Sequence, residues 1–213
     1  MTNFVRRGTL NNKSTLVRLF PHRDRTNPKV ADHGISSPLS LARRVPSAIY
    51  NRLVSYLDRF KRAQDDPHTG LTAALAELRA GRKTGHWIWY VFPQLAGLGQ
   101  SDLSRMYGIV DVTEATEYLR DPVLRSRLLS AATAVVERQR AGVPLPRLMD
   151  APIDVVKLVS SLTLFGAVAR RVHATEANDE YRRLSDTAAE ILATAESEGY
   201  PPCVYTLRVL DGP

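Results

Sequence analysis

The chain has 213 residues, of which 44% are hydrophobic and 24% charged, a composition typical of one soluble domain with a substantial core. No run of 18 consecutive apolar residues is present, so we expect no membrane span. Cys203 is the single cysteine, which excludes an intrachain disulfide and favours a reducing, cytoplasmic location. Arg6 and Arg7 are not followed by an apolar stretch, which argues against a secretory signal.

The net charge of +7 comes entirely from the first part of the chain. Residues 1–46 hold nine basic and two acidic side chains, whereas residues 47–213 hold 20 of each. A nucleic-acid-binding domain carries its basic patch on the fold, so we expect no specific nucleic-acid partner. Residues 1–46 also lack an apolar period, which predicts a disordered basic extension ahead of one helical domain over residues 47–213.

From residue 47 onward the spacing of apolar residues predicts helices. Gly81 is a stop signal, Asp111 followed by Glu114 resembles a capping box, and Asp121-Pro122 is a helix start. Seven helices are predicted, over residues 48–63, 71–80, 102–107, 111–119, 121–140, 153–172 and 178–198.

Two other segments complete the predicted architecture. Gly142–Pro152 contains three prolines and is predicted to be a loop. Cys203–Leu210 alternates like a strand, but one short strand cannot form a sheet. The fold class is therefore predicted to be all-α, as a single compact domain of about seven helices.

The segment Gly81–Leu95, GRKTGHWIWYVFPQL, concentrates aromatic and polar side chains. Two cations and His86 precede an almost unbroken apolar run, and Gln94 follows it. We expect the run to enter the core and to pack on the most apolar helix, residues 153–172. Polar groups against aromatic walls are typical of a small-molecule pocket, but an aromatic core with a polar rim has the same composition.

Ordered motifs fill residues 58–165. They include DRF at 58–60, AELRAGRK at 76–83, HWIWYVFPQL at 86–95, GLG at 97–99, YGI at 107–109 and TLF at 163–165. The set resembles the bacterial domain-of-unknown-function family 1810, whose members are sometimes labelled calpastatin-like. The resemblance implies a mostly helical cytosolic domain and brings no settled activity. The parts before residue 47 and after about 170 depart from the family pattern.

Several side chains of the aromatic segment are candidates for a site. His86 has the residue type of a general base, and Gln94 that of an orienting amide. Arg82 and Lys83 suit a phosphate or carboxylate, although cations after a helix C-terminus also complement its dipole. The two tryptophans, Trp87 and Trp89, are further candidates. We expect one ring to lie in the core and the other to stack on a ligand.

The apolar helix over residues 153–172 carries a second group of candidates. Lys157 and Ser161 lie four residues apart on one face, with Ser160 beside them. A buried lysine must be paired or perturbed, whereas a structural lysine extends its amine to the surface. We expect His86 to lie within reach of this Lys157–Ser161 face, because polar groups in two packed apolar segments need partners.

Two function classes remain open. The first is a small-molecule pocket protein, a metal-independent and cofactor-free hydrolase acting on an anionic nucleotide-like or ADP-ribose-like ligand, by N-glycoside hydrolysis for example. Its catalytic residues would be His86 and Lys157, and its ligand-binding residues Arg82, Lys83, Trp87, Trp89, Gln94, Ser160 and Ser161. The second is a noncatalytic helical protein-interaction module, and the sequence indicates no oligomeric state for either class. A solvent-open pocket shared by His86, Gln94 and Lys157 supports the first; an exposed apolar patch elsewhere supports the second.

Overall fold

The computed structural model describes residues 47–212, with side chains from Tyr56 onward, and the basic extension predicted over residues 1–46 lies outside this range. The described residues form helices and no strand, which confirms the all-α prediction. The ten helices are α1 (Ser47–Gln64), α2 (Leu71–Ala80), α3 (Ile88–Val91), α4 (Asp102–Met106), α5 (Val112–Arg120), α6 (Pro122–Arg140), α7 (Leu145–Met149), α8 (Pro152–His173), α9 (Asp179–Ser197) and α10 (Val204–Asp211).

Three helix ends predicted from the sequence are confirmed by the structure. Gly81 ends α2 with φ 82°, a left-handed conformation that glycine adopts without strain. The Asp121 carboxylate accepts hydrogen bonds from the backbone N–H groups of Val123 and Leu124 at the start of α6. Asp111 likewise caps α5 by accepting from the N–H of Glu114.

The predicted number of seven helices is too low, because three short helices occupy segments read otherwise. A single turn, α3, lies inside the aromatic segment, and α7 lies inside the proline-rich segment predicted to be a loop. The segment with strand-like alternation forms α10. Among the described residues there is no second strand for this segment to pair with, so a helix satisfies its backbone hydrogen bonds internally. The helix buries Thr206 and Leu210, which lie four residues apart on one face.

The core is centred on α8, which contacts α3, α5, α7, α9 and α10. By length and composition α8 could span a membrane, but 72% of its apolar window is buried inside the fold, as in the central helix of a globular domain. Gly166 sits where α9 crosses, because a Cβ atom there would lie 2.9 Å from the Ala188 Cβ. The helical spacing of apolar residues in α6 predicts an inward-facing Val123, but its side chain is 42% exposed.

The aromatic segment enters the core as predicted. Trp87, Ile88 and Phe92 are fully buried, and Trp87 packs against Phe92 at a ring-centre distance of 6.4 Å. The predicted difference between the two tryptophans is also present, since Trp89 is only partly buried.

Candidate functional site

A loop between α2 and α3, residues 81–87, is held in place by the carboxylate of Glu77. One of its oxygens accepts hydrogen bonds from the backbone N–H of Thr84 at 2.7 Å, the N–H of Gly85 at 2.9 Å and the indole Nε1–H of Trp87 at 2.8 Å. Burial acts to raise the pKa of Glu77, but these three donors outweigh it and hold the pKa below its usual value. Glu77 is therefore an ionised clamp that orients the loop.

The loop is anchored to α8 by a cluster of two lysines and one aspartate, Lys83, Asp154 and Lys157. Lys83 Nζ lies 2.6 Å from Asp154 Oδ2, and Lys157 Nζ donates to Asp154 Oδ1 at 2.8 Å. Lys83 also donates to the carbonyl of Gly85 at 2.6 Å, and its backbone N–H donates to the carbonyl of Leu148 at 2.7 Å. The cluster joins the aromatic segment to the N-terminal half of α8.

The two tryptophans flank this cluster. Lys83 Nζ lies 5.3 Å from the centre of the Trp87 ring, and Lys157 Nζ lies 4.3 Å from the centre of the Trp89 ring. Both distances are within the range of cation–π attraction. The side chain of Lys83 is 7% exposed and that of Lys157 is 16% exposed, so Lys157 is the more accessible cation of the pair.

The central carboxylate is ionised in this environment. Burial acts to raise the pKa of Asp154, but the hydrogen bonds and charges of Lys157 and Lys83 outweigh it and hold the pKa below the usual value. Two cations and one anion leave the cluster with a formal charge of +1.

The remaining candidates of the aromatic segment, Arg82, His86 and Gln94, are not members of this cluster. Arg82 forms an exposed ion pair with Asp150, with Nη2 and Oδ1 separated by 2.8 Å. His86 is exposed on the clamped loop, and no hydrogen bond or ion pair joins it to Lys157 among the described residues. Gln94 is buried, and its backbone carbonyl accepts a hydrogen bond from the N–H of Ile109 at 2.9 Å.

The hydroxyl candidates on α8 are both buried. Ser160 Oγ donates to the carbonyl of Val156 at 2.8 Å, whereas Ser161 Oγ has no hydrogen-bond partner among the described residues. Ser160 lines a cavity of about 250 Å³ whose other walls come from α8 and from the segment between α9 and α10. That cavity does not include His86, Gln94 or Lys157, and its lining consists of Val156, Val159, Ser160, Gly199, Tyr200, Pro201 and Cys203.

The structure therefore brings Lys83, Trp87, Trp89 and Lys157 together and leaves the other candidates outside the cluster. Sequence reasoning missed Asp154 and Glu77, the two carboxylates that organise the site. Asp154 carried a readable signal, because it lies three residues before Lys157 in the first turn of an apolar helix. Glu77 carried no such signal in the sequence, since an acidic side chain on the surface of a helix is normally solvated and needs no partner. Over the described residues, no three His, Cys, Asp or Glu side chains are grouped as metal ligands.

A comparison with protein-family models identifies the family of the chain. The model described as "Protein of unknown function (DUF1810)" matches residues 54–189, which include the whole Lys83–Asp154–Lys157 cluster. The chain belongs to the DUF1810 family. The resemblance read from the sequence motifs is thus confirmed. The match runs past residue 170, after which the chain was expected to depart from the family pattern, and it ends at residue 189, before α10.

The DUF1810 fold of this chain is also found in a crystal structure. The conserved hypothetical protein Rv1873 from Mycobacterium tuberculosis is 34% identical in sequence, with a TM-score of 0.53. The similarity covers 71% of this chain and 93% of the mycobacterial chain. No curated protein matches this DUF1810 sequence.

Proposed function

We propose that this protein binds a small anionic, ring-bearing ligand, nucleotide-like or ADP-ribose-like, at the surface formed by Lys157 and Trp89. The position of Lys157 carries the proposal: its Nζ is 2.8 Å from Asp154 Oδ1 and 4.3 Å from the centre of the Trp89 ring. An ammonium group has three donors, and Asp154 takes one of them. The other two suit a phosphate or carboxylate, while the partly exposed indole of Trp89 offers a face for a ring.

The rest of the cluster supports this role by holding Lys157 in place. Asp154 fixes the amine of Lys157 from one side, and Lys83 occupies the other oxygen of Asp154. Because the cluster has an excess of one positive charge, an anion adds a partner without displacing one. A positioned charge in a partly desolvated site attracts an anion more strongly than a free surface lysine does.

A metal-independent hydrolysis of an N-glycosidic bond is the finer form of the proposal, with the cytoplasm as its compartment. Water adds to the anomeric carbon while the C–N bond breaks, and the leaving nitrogen keeps the electron pair of that bond and takes up a proton from solvent. His86, exposed on the loop that Glu77 clamps, accepts the proton that water loses. Lys157 holds the charged end of the ligand, so binding and proton transfer come from two different elements.

Ligand-induced thermal stabilisation tests the binding proposal. ADP-ribose, AMP and ribose 5-phosphate should raise the unfolding midpoint of the wild type, and uncharged adenosine should raise it least. Lys157→Gln should abolish the shift while Asp154 keeps Lys83 as its partner. Lys61→Gln is the matched control, because Lys61 is also ion-paired, with Asp121. Binding that survives Lys157→Gln, or no shift with any of the four compounds, contradicts the proposal.

The interaction-module alternative is favoured by one specific feature, an apolar strip at the start of α8 and on α10. Ile153 is 60% exposed and Val204 is 59% exposed, and Val156, Tyr205 and Leu207 add to the same two helices. If the ligand screen is negative, Ile153→Asp with Val204→Asp becomes the informative variant. Loss of self-association in sedimentation, with an unchanged unfolding midpoint, would support the module.

A further inference from the structure

A second cavity of the structure is a polar groove along one face of α6. Its volume is about 270 Å³, and its floor includes Ser126, Ser130, Thr133 and Glu137. These residues are spaced by three or four, so they form one stripe about 16 Å long on the helix. A cavity of about 150 Å³ holds a molecule of the size of benzene, so this groove is large enough for a six-carbon compound.

One arginine from each of the two flanking helices lines the groove. Arg79 comes from the end of α2 and Arg183 from the first turns of α9, and both helices pack on α6. Glu180, one turn before Arg183, pairs with Arg125 near the start of α6. The carbonyl of Arg79 accepts a hydrogen bond from Arg138 near the end of α6. The two guanidinium groups therefore reach the stripe from different helices.

The charges that line the groove do not cancel. Among the residues that the structure describes, neither Arg79 nor Arg183 forms an ion pair, and both side chains are exposed. Glu180 is compensated by Arg125, with Oε2 and Nε 2.7 Å apart, which leaves Glu137 as the remaining carboxylate of the groove. Two cations and one anion give a formal excess of one positive charge. A monoanion balances this excess, whereas a dianion would bring a further negative charge beside Glu137.

The hydroxyl groups of the stripe are oriented as acceptors. Ser130 Oγ donates to the carbonyl of Ser126, and Thr133 Oγ1 donates to the carbonyl of Leu129, both at 2.8 Å. Each hydroxyl oxygen has spent its single proton and keeps a lone pair for a donor from the solvent side. A compound that carries one carboxylate and several hydroxyl groups therefore matches the arginines and the stripe at the same time.

We propose that this groove is a second ligand site, which binds a small polyhydroxylated monocarboxylate such as an aldonic acid. The carboxylate accepts hydrogen bonds from Arg79 and Arg183, because the planar fork of a guanidinium group matches the two oxygens of a carboxylate. The hydroxyl groups of the ligand donate to Ser130, Thr133 and Glu137. The groove shares no residue with the lysine–aspartate cluster on α8, so this site is independent of the proposed function.

Ligand-observed NMR titration of the full-length protein at low ionic strength tests the proposal, with gluconate as the probe. Gluconate should bind with a Kd of about 1 mM. Sorbitol has the hydroxyl groups without the carboxylate, acetate has the carboxylate without the hydroxyl groups, and glucose 6-phosphate is a dianion. Each of the three should bind about tenfold more weakly than gluconate. No binding of gluconate, or equal binding of sorbitol, overturns the proposal.

Variants of the two walls show whether the bound gluconate lies in the groove. Arg79→Gln and Arg183→Gln should each weaken gluconate binding about tenfold and leave the unfolding midpoint almost unchanged, because both side chains are exposed. Arg182→Gln is the matched control, since Arg182 is also exposed but pairs with Asp179 and does not line the groove. Gluconate binding that is unchanged in both wall variants, or weakened equally in the control, overturns the proposal.

Two further variants test the charge balance and the independence of the site. Glu137→Gln leaves the two arginines without an opposing carboxylate, so it should improve the binding of glucose 6-phosphate relative to gluconate. Unchanged selectivity contradicts the role of Glu137. Lys157→Gln, the variant that tests the proposed function, should leave gluconate binding unchanged. Loss of gluconate binding in Lys157→Gln would place the ligand at the α8 cluster and overturn the groove as its site.

Discussion

Lys83 and Lys157 share Asp154 in an ion-pair cluster. The cluster lies in the region where the sequence predicted either a small-molecule pocket or an aromatic core with a polar rim. The side chain of Asp154 is 11% exposed, so its charge is compensated by Lys83 and Lys157 rather than by water. The cluster therefore has two roles that can be measured apart. It fixes the aromatic segment on α8, and it holds the amine of Lys157 beside Trp89.

Asp154→Asn should destabilise the domain by about 3 kcal/mol at pH 7, because two lysines at a largely buried site lose their only shared anion. Asp150→Asn is the matched control, since Asp150 pairs with Arg82 at an exposed position. It should cost less than about 1 kcal/mol, and asparagine tolerates the left-handed conformation of residue 150. Urea unfolding of the two variants measures both values. Equal losses would show that burial of the cluster has no energetic weight.

The pH dependence of the same comparison follows from the lowered pKa of Asp154. A carboxylate with a depressed folded-state pKa contributes stability that is complete above its unfolded value, near 3.8, and is lost as pH falls through the folded value. The difference between wild type and Asp154→Asn should therefore be constant from pH 7 to about pH 5 and shrink below pH 4. A difference that persists unchanged at pH 2.5 contradicts this account.

Glu77→Gln tests the clamp on the loop that carries His86. The neutral amide can keep its oxygen in front of the donors of Thr84, Gly85 and Trp87, but it loses the negative charge that strengthens all three hydrogen bonds, so we expect a loss of about 2 kcal/mol. Glu117→Gln is the control, because Glu117 makes an ion pair with the half-exposed Arg120. The indole emission of the folded Glu77→Gln variant should shift relative to that of Glu117→Gln. Identical stability and emission would contradict the clamp.

At the scale of elements, α8 packs closely on α9 at Gly166 and Ala188. Gly166→Ala would place its new Cβ 2.9 Å from the Ala188 Cβ, closer than packed methyl groups allow. The substitution should gain about 1 kcal/mol of helix propensity and lose more than that to overpacking, for a net loss of about 1–2 kcal/mol. Chemical denaturation measures the balance.

The exchange of the two residues is the internal control for that crossing. Gly166→Ala combined with Ala188→Gly keeps one methyl group in the same space, so the double variant should recover most of the stability lost by the single one. A Gly166→Ala variant more stable than the wild type would mean that the helices separate at little cost.

At the scale of the whole molecule, the net charge of the chain comes from residues 1–46 and not from the sequence of the helical domain. Residues 1–46 carry the entire formal excess of +7, and residues 47–213 are neutral. We expect deletion of residues 1–46 to leave the unfolding midpoint within experimental error, because a segment without an apolar period cannot offset the entropy of ordering. Differential scanning calorimetry of the shortened and full chains measures this. A fall of several degrees would show that the extension packs on the domain.

Much of the fold was readable because the signals that define it are local. The ends of α2, α5 and α6 depend on Gly81, Asp111 and Asp121, whose capping contacts lie within four residues of each. The burial of Trp87 and Phe92 was predictable for a related reason, since an apolar run of that density has no alternative to the core. The helices α3, α7 and α10 were missed because one or two turns leave too few residues to display a helical period.

The sequence by itself determined the all-α class, the major helices and the family, since capping, apolar period and motif order are written along the chain. Only the tertiary structure decided the site. Lys83 and Asp154 are 71 positions apart, and their pairing exists because the aromatic segment packs on α8. The same packing buries Trp87, leaves Trp89 partly buried and leaves His86 exposed. Which polar groups meet depends on how apolar faces fit together, and that fit has no local signal.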